Sequence, residues 1–263
     1  MSPPSKDSPA AESGIARLLA IMAQLRDPET GCEWDVAQSF ATIAPYTIEE
    51  AYEVVDAIER DDLPALREEL GDLLLQVVFH ARMAEELGGF DFDAVAQTIA
   101  AKMTERHPHI FGGAADEGQS REVRWEALKA AERASKGAES ALDGVALALP
   151  ALMRAEKLQK RAARVGFDWP DPAGPRAKVF EELDELAAAE TDAQKLDEAG
   201  DLLFAAANVA RSYGVAPEDA LRHANAKFER RFRAMEALAG GAFASLSLEA
   251  QETLWQQVKA AER

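Results

Sequence analysis

The sequence predicts an all-α protein built as a tandem duplication of one four-helix module. Three observations carry this expectation. Of 263 residues, 48% are hydrophobic and 29% charged, aromatics make up only 7%, and the helix formers Ala, Leu and Glu are abundant. From Gly14 onward the apolar residues recur at helical spacing, with hardly a strand signal. Finally, the two halves of the chain repeat one another in order.

The elements follow in sequence. Residues 1–12, "MSPPSKDSPAAE", are polar and rich in Pro and Ser, so they read as a loose tail rather than a signal peptide. The first module spans 13–113, with helix breaks at "DPETG" (27–31), "LGGFD" (87–91) and "HPHIFGG" (107–113). Residues 114–140 are charged and read as a linker or exposed helix, with Trp125 as a packing anchor. The second module spans 141–263, broken at "DWPDPAGP" (168–175) and "GVAP" (214–217). "GCEWD" (31–35) recurs as "GFDWP" (166–170), and "IEEAYEVV" (48–55) as "FEELDELA" (180–187). "EELGDLLLQVVFHAR" (68–82) recurs as "DEAGDLLFAAANVAR" (197–211), and "AAKMTERH" (100–107) as "NAKFERRF" (225–232).

Composition excludes several functions. A formal net charge of −18 argues against a nucleic-acid partner, because such binding depends on Lys and Arg neutralising phosphates. Cys32 is the only cysteine, so no internal disulfide and no cysteine zinc site are expected. The longest apolar run, "LLLQVVF" at 73–79, is far short of the roughly 20 residues a bilayer requires. A cytoplasmic protein with no membrane partner is the expectation. There is no Walker-type glycine loop, and His107 and His109 in "HPHIF" read as a helix stop rather than metal ligands.

The chemistry is concentrated in acids. On a helical wheel Val179, Phe180, Leu183, Leu186 and Ala187 form one apolar stripe, the expected buried face. Glu181, Glu182 and Glu185 lie along its border, whereas Asp184 falls on the solvated side. The first half gives the same wheel, with Ile48, Ala51, Val54 and Val55 bordered by Glu49, Glu50 and Glu53. Like charges four residues apart repel, and a cation is the simplest compensation. The following helix adds Glu198 and Asp201 in the second half, Glu69 and Asp72 in the first, each an i,i+3 pair. Antiparallel packing of the two helices would gather up to five carboxylates at a seam. An oxygen-only set suits Mg²⁺, with Mn²⁺ as a substitute, better than Zn²⁺. A lone EExxE is usually a solvated face; the same two-helix pattern twice in one chain is not.

These residues resemble the MazG family of all-α nucleoside triphosphate pyrophosphohydrolases in its two-repeat form, from "LLAIMAQLRDPETGCEWD" to "LWQQVK". The resemblance implies Mg²⁺-dependent hydrolysis of NTPs and dNTPs between the α and β phosphates, in the service of nucleotide-pool housekeeping. It also implies a homodimer that completes the helical bundle. Glu182, Glu185, Glu198 and Asp201 match the family's metal ligands, and Glu181 is the candidate for water activation or support of the ligands. Lys178, Lys227 and Arg231 match nucleotide contacts, as do Trp255 and Lys259 near the C-terminus; Lys195 is the nearest candidate for a further lysine. Trp255 would offer a stacking surface for a base, the alternative being a core tryptophan. The halves differ: Tyr46 stands where the second has Lys178, and nothing in the first corresponds to "LWQQVK". Lys102 and Arg106 keep the grip spacing, but Ala100 replaces Asn225. The second half is therefore the expected catalytic unit. Glu49, Glu50, Glu53, Glu69 and Asp72 are a second active site, a degenerate one, or part of a dimerisation module. The rival readings are a non-catalytic nucleotide- or metal-binding regulator and a structural scaffold with solvated acidic faces.

Overall fold

The computed structural model describes residues 13–112 and 139–262, with Ala130 and Gly137 between them. The expected tail and nearly all of the expected linker, including Trp125, lie outside the described residues. The chain divides into two compact units, residues 1–125 and 126–263. Among the described residues there is no strand, and no helix is long and apolar enough to cross a membrane.

The first unit runs α1 (Gly14–Leu25), α2 (Glu33–Ala37), α3 (Phe40–Glu59), α4 (Leu63–Glu86), α5 (Phe92–Arg106) and α6 (Pro108–Phe111). Side-chain caps start the long helices: Ser13 accepts from the Ala16 N–H, and Ser39 and Thr42 form a reciprocal capping box. Asp62 and Asp91 cap α4 and α5 in the same way. α4 is the central helix and packs against α1, α3 and α5. Met22, Ile43, Val78, Phe79 and Met83 form the core, each worth about 1.5–3 kcal/mol of burial. Arg26 locks the periphery. It pairs with Glu86 at 2.7 Å, donates to the Asp35 carbonyl, and lies 5.3 Å from the centroid of the Phe79 ring.

The second unit runs α7 (Ala151–Arg164), α8 (Ala173–Ala188), α9 (Asp192–Ser212), α10 (Pro217–Ala239), a 3₁₀ turn (Phe243–Ser245) and α11 (Leu248–Ala261). α8 and α9 form an antiparallel hairpin across residues 189–191, where Thr191 and Gln194 make a second capping box. α7 packs on α9, α10 on α7 and α9, and α11 on α10. α10 ends at Gly240, whose φ of 58° is the left-handed conformation favoured at a helix stop. Four long helices per half were expected; the second unit has five, α11 being the one without a counterpart in the first. The "AGP" of the expected break at 168–175 belongs to the first turn of α8, where Pro175 lacks an N–H that has no intrahelical partner anyway.

The structure departs in part from the expected inside and outside of the acidic helices, for Val179 and Leu186 are half-buried as the stripe requires and Glu181 and Glu185 are exposed, but other positions are exchanged. Glu182 is 2% exposed, whereas Phe180 and Leu183 of the apolar stripe are 56% and 45% exposed. Ala187 is exposed too. α8 meets α9 through the edge that carries Glu182, so Phe180 and Leu183 face away from the unit. In the first unit Ile48 and Ala51 are exposed while Val54 and Val55 are half-buried, and Glu50 and Glu69 are half-buried.

Candidate metal and nucleotide site

In the second unit Glu182 comes from the middle of α8 and is almost wholly buried. Taking a carboxylate out of water is costly unless it is paired. One oxygen is paired: Lys178, a turn earlier on α8, places its ammonium 2.5 Å from Glu182 Oε1 and 2.9 Å from Glu181 Oε1. The other, Oε2, is buried with no hydrogen-bond partner. Glu185 and Glu198 each bring an oxygen into the same place, the three ligand atoms lying within 4.8 Å of one another. Asp201, one turn along α9, lines the cavity next to them.

The electrostatics follow from this crowding. The hydrogen bond with Glu182 is the largest influence on Glu185 and, with loss of water, raises its carboxyl above the usual range. Glu182 and Glu181 hold the Lys178 ammonium well above the ordinary lysine value. Three carboxylates around an orphaned buried oxygen fit a hard cation, which would satisfy Oε2 and relieve the repulsion. Glu181 is exposed and, among the described residues, is engaged by Lys178.

The first unit assembles its own trio, Glu50, Glu69 and Asp72. Burial, then the charge of Asp72, pushes Glu50 up; burial, then Glu53, does so for Glu69. Glu49 is exposed on α3. At the position of Lys178 stands Tyr46, its ring in an edge contact with Trp34 at 6.4 Å.

The seam of the second unit opens into a cavity of about 710 Å³ between α7, α8 and α9, with Lys178, Glu182 and Asp201 on one wall. Sequence reasoning missed other residues of the lining: Gln159 of α7, Asn208 and Arg211 of α9, and Phe167, Asp168 and Trp169 of the loop between α7 and α8. A signal was available. Aligning the copies puts Asn208 opposite Phe79, Ala207 opposite Val78 and Ala205 opposite Gln76. Core side chains of the first unit are thus replaced by smaller or polar ones where the second unit is hollow.

The expected nucleotide grip is placed elsewhere. Lys227 and Arg231 lie on α10, and Trp255 and Lys259 on α11; none of the four lines the cavity. Arg231 pairs with Glu262 at 2.6 Å and stacks over Trp255 at 5.4 Å. Trp255 also lies 5.8 Å from Phe228, within an aromatic group that continues to Phe232 and Phe243. Lys195, in the first turn of α9, is 3.9 Å from Asp192. His107 caps the end of α5, as its reading as a helix stop anticipated.

Comparison with known proteins matches residues 38–111 to the MazG nucleotide pyrophosphohydrolase domain. Over 254 residues the chain is 54% identical to the nucleoside triphosphate pyrophosphohydrolase of Escherichia coli K12, covering 93% of this chain and 97% of that one. It is 42% identical over 253 residues to the nucleoside triphosphate pyrophosphohydrolase/pyrophosphatase MazG of Thermotoga maritima, covering 94% and 97%. The Mycobacterium tuberculosis nucleoside triphosphate pyrophosphohydrolase matches at 39% over 153 residues, 57% of this chain and 46% of that protein. With similarity running nearly end to end in the first two pairs, the chain belongs to the MazG family of nucleotide pyrophosphohydrolases.

Proposed function

We infer that this chain is a nucleoside triphosphate pyrophosphohydrolase, converting NTPs to nucleoside monophosphate and pyrophosphate, and we propose that the α8–α9 seam of the second unit is where it does so. The observation that carries the assignment is Glu182: a buried carboxylate with one oxygen on Lys178 and the other without a partner, at the mouth of a cavity.

Glu182, Glu185 and Glu198 would hold Mg²⁺, or Mn²⁺ in its place, with Asp201 beside them. When bound, the ion supplies positive charge that lets a triphosphate approach an acidic seam and polarises its phosphoryl group. Lys178 exchanges its two carboxylate partners for a phosphate oxygen. That exchange frees Glu181, which takes the proton of the water attacking the α phosphorus. The bond to the bridging oxygen then breaks, and pyrophosphate leaves with that oxygen. Lys227, Arg231, Trp255 and Lys259 are proposed as a further phosphate and base grip, Arg231 leaving Glu262 for the nucleotide, with Lys195 at the start of α9 as a further cation.

We also propose a homodimer. Phe180, Leu183 and Leu203 are 56%, 45% and 60% exposed along the outer face of the acidic hairpin, where a second copy would cover them. A cytoplasmic setting, suggested by the free Cys32, suits a role in nucleotide-pool housekeeping. The test is incubation with a panel of NTPs and dNTPs and Mg²⁺, following pyrophosphate. Turnover of at least one triphosphate is expected. Bound metal and nucleotide without turnover would make the protein a regulator instead.

A further inference from the structure

Arg231, the proposed phosphate contact on α10, already holds an anion supplied by the chain itself. Its Nε and Nη2 donate to Glu262 Oε2 at 2.8 and 2.6 Å, and Arg230 Nη2 donates to Oε1 at 3.4 Å. The Arg231 guanidinium also lies 5.4 Å from the centroid of the Trp255 ring. A guanidinium fork on one anion is how arginine holds a carboxylate, and equally how it holds a phosphate. Among the described residues Lys227 and Lys259 have no such carboxylate, so Glu262 acts on one cation of the grip and not on the others. Trp255, Lys259 and Glu262 follow at i, i+4 and i+7, which brings all three to one side of α11.

Helix stability does not account for this carboxylate. Glu262 is the C-terminal cap of α11, where the negative end of the helix dipole disfavours an acid. Arg231 offsets that repulsion and is the largest influence holding the Glu262 carboxyl below its usual range, so the group is ionised at neutral pH. α11 has other anchors: Trp255 lies 5.8 Å from Phe228 of α10, and Val258 is buried. A residue beyond the last helical turn can swing away and leave the helix in place. We propose that Glu262 is a built-in competitor of the triphosphate, occupying Arg231 in the free enzyme and yielding it when the phosphates arrive. The inference rests on the reading of Arg231 as a phosphate contact and adds the regulation of that contact. The exchange is of one anion for another, so the guanidinium over Trp255 is neutralised before and after binding. Once the phosphoanhydride is cleaved, the same carboxylate is at hand to retake Arg231, which speeds departure of the anionic products.

The experiment titrates wild type, Glu262→Gln, Arg231→Ala and the double variant with the non-hydrolysable α,β-methylene ATP in Mg²⁺. Glutamine keeps the shape of the side chain and removes its charge. Glu262→Gln should bind the analogue about 2- to 5-fold more tightly, the range that partly exposed ion pairs support. KM for ATP should fall, and inhibition by pyrophosphate should tighten, by a similar factor. Glu262→Ala should act in the same direction. Arg231→Ala should weaken binding, and on that background Glu262→Gln should lose most of its effect, because the carboxylate acts through the guanidinium. A residue that merely anchors α11 would give the opposite sign. Unchanged or weaker binding by Glu262→Gln, with Arg231→Ala weakened, therefore overturns the competitor and leaves the grip intact. Arg231→Ala that binds as well as wild type overturns the grip and the competitor with it. Turnover of no triphosphate by wild type overturns the pyrophosphohydrolase reading instead.

Discussion

The two acidic hairpins, α3–α4 and α8–α9, share a carboxylate pattern and differ in what lies beneath it. Under the first, Met22, Val78 and Phe79 fill the interior and Arg26 covers the Phe79 ring. Under the second, Ala207 and Asn208 stand on α9 at the positions of Val78 and Phe79, and a cavity opens beside the acids. At the edge, Tyr46 meets Trp34 in the first unit, while Lys178 bridges Glu181 and Glu182 in the second. The acids alone therefore do not distinguish an ion site from a substrate site. A neighbouring void and a cation for phosphate do.

The sharpest way to break the comparison is to remove the acids one unit at a time. Glu182→Ala or Glu185→Ala should lower kcat/KM more than about 100-fold, since loss of even the outer partners of a metal ligand costs 10–100-fold. Glu50→Ala or Glu53→Ala should leave most of the turnover. The reverse pattern in steady-state kinetics would put catalysis in the first unit. Next in size is Asn208→Phe, which makes the second unit resemble the first. The ring should occupy the cavity and weaken binding of the α,β-methylene analogue by about 10-fold or more, read by titration. The reciprocal change, Phe79→Ala, hollows the first core and should destabilise it by about 3–5 kcal/mol, seen in denaturant melts, without producing a second active site.

The all-α class, most helix breaks and the acids that meet in each hairpin could be read from periodicity and spacing. Which face of each acidic helix is inside could not. A wheel ranks residues by polarity and buries Phe180 and Leu183, but α8 turns Glu182 inward, where Lys178 pairs with one of its oxygens and Glu185 and Glu198 crowd the other, and the apolar face is left for another surface. The cavity was hidden for a different reason. Its residues come from α7, a loop and α9, widely spaced in sequence, and a single Asn in "FAAANVAR" carries no periodic signal. Only the comparison of copies, Asn208 against Phe79, marks it. Trp255 was open between core and base contact; its ring sits in the Phe228–Phe232 group with Arg231 over it.

A smaller effect is expected from pH, and its sign follows from the raised carboxyls. Glu185, held up by its bond to Glu182, keeps its proton to higher pH in the folded state than in the unfolded chain. Glu50 and Glu69, raised chiefly by burial, do the same. Such groups stabilise the fold at low pH and lose that contribution as pH rises through their folded values. Mg²⁺ must displace those protons, so the increase in Tm on adding Mg²⁺ should grow as pH rises out of the carboxylate range. The increment is the quantity to measure, because Asp168 and Glu86, held low by Arg211 and Arg26, push absolute stability the other way. A Mg²⁺ increment that is flat or falls with rising pH would contradict the seam as the metal site.

The smallest expected change comes from Gly174→Ala, and here two effects oppose one another. Alanine is the better helix former by at most about 1 kcal/mol, less in a first turn such as this one. Against that, the new methyl would land within the Trp169 ring, and the indole, part of a loop and 45% exposed, would have to swing aside. A half-exposed ring can move without opening a core, so the melting temperature should shift by only a few degrees. The cavity wall would move with it. If the substrate lies against Trp169, KM for ATP should rise severalfold with kcat nearly unchanged, because the acids and Lys178 stay where they are. The first copy has Thr42 at this position and its tryptophan packs on Tyr46 instead. A variant with unaltered KM would mean that Trp169 is only part of the loop, and that the difference between the two units lies in Asn208 and Lys178 alone.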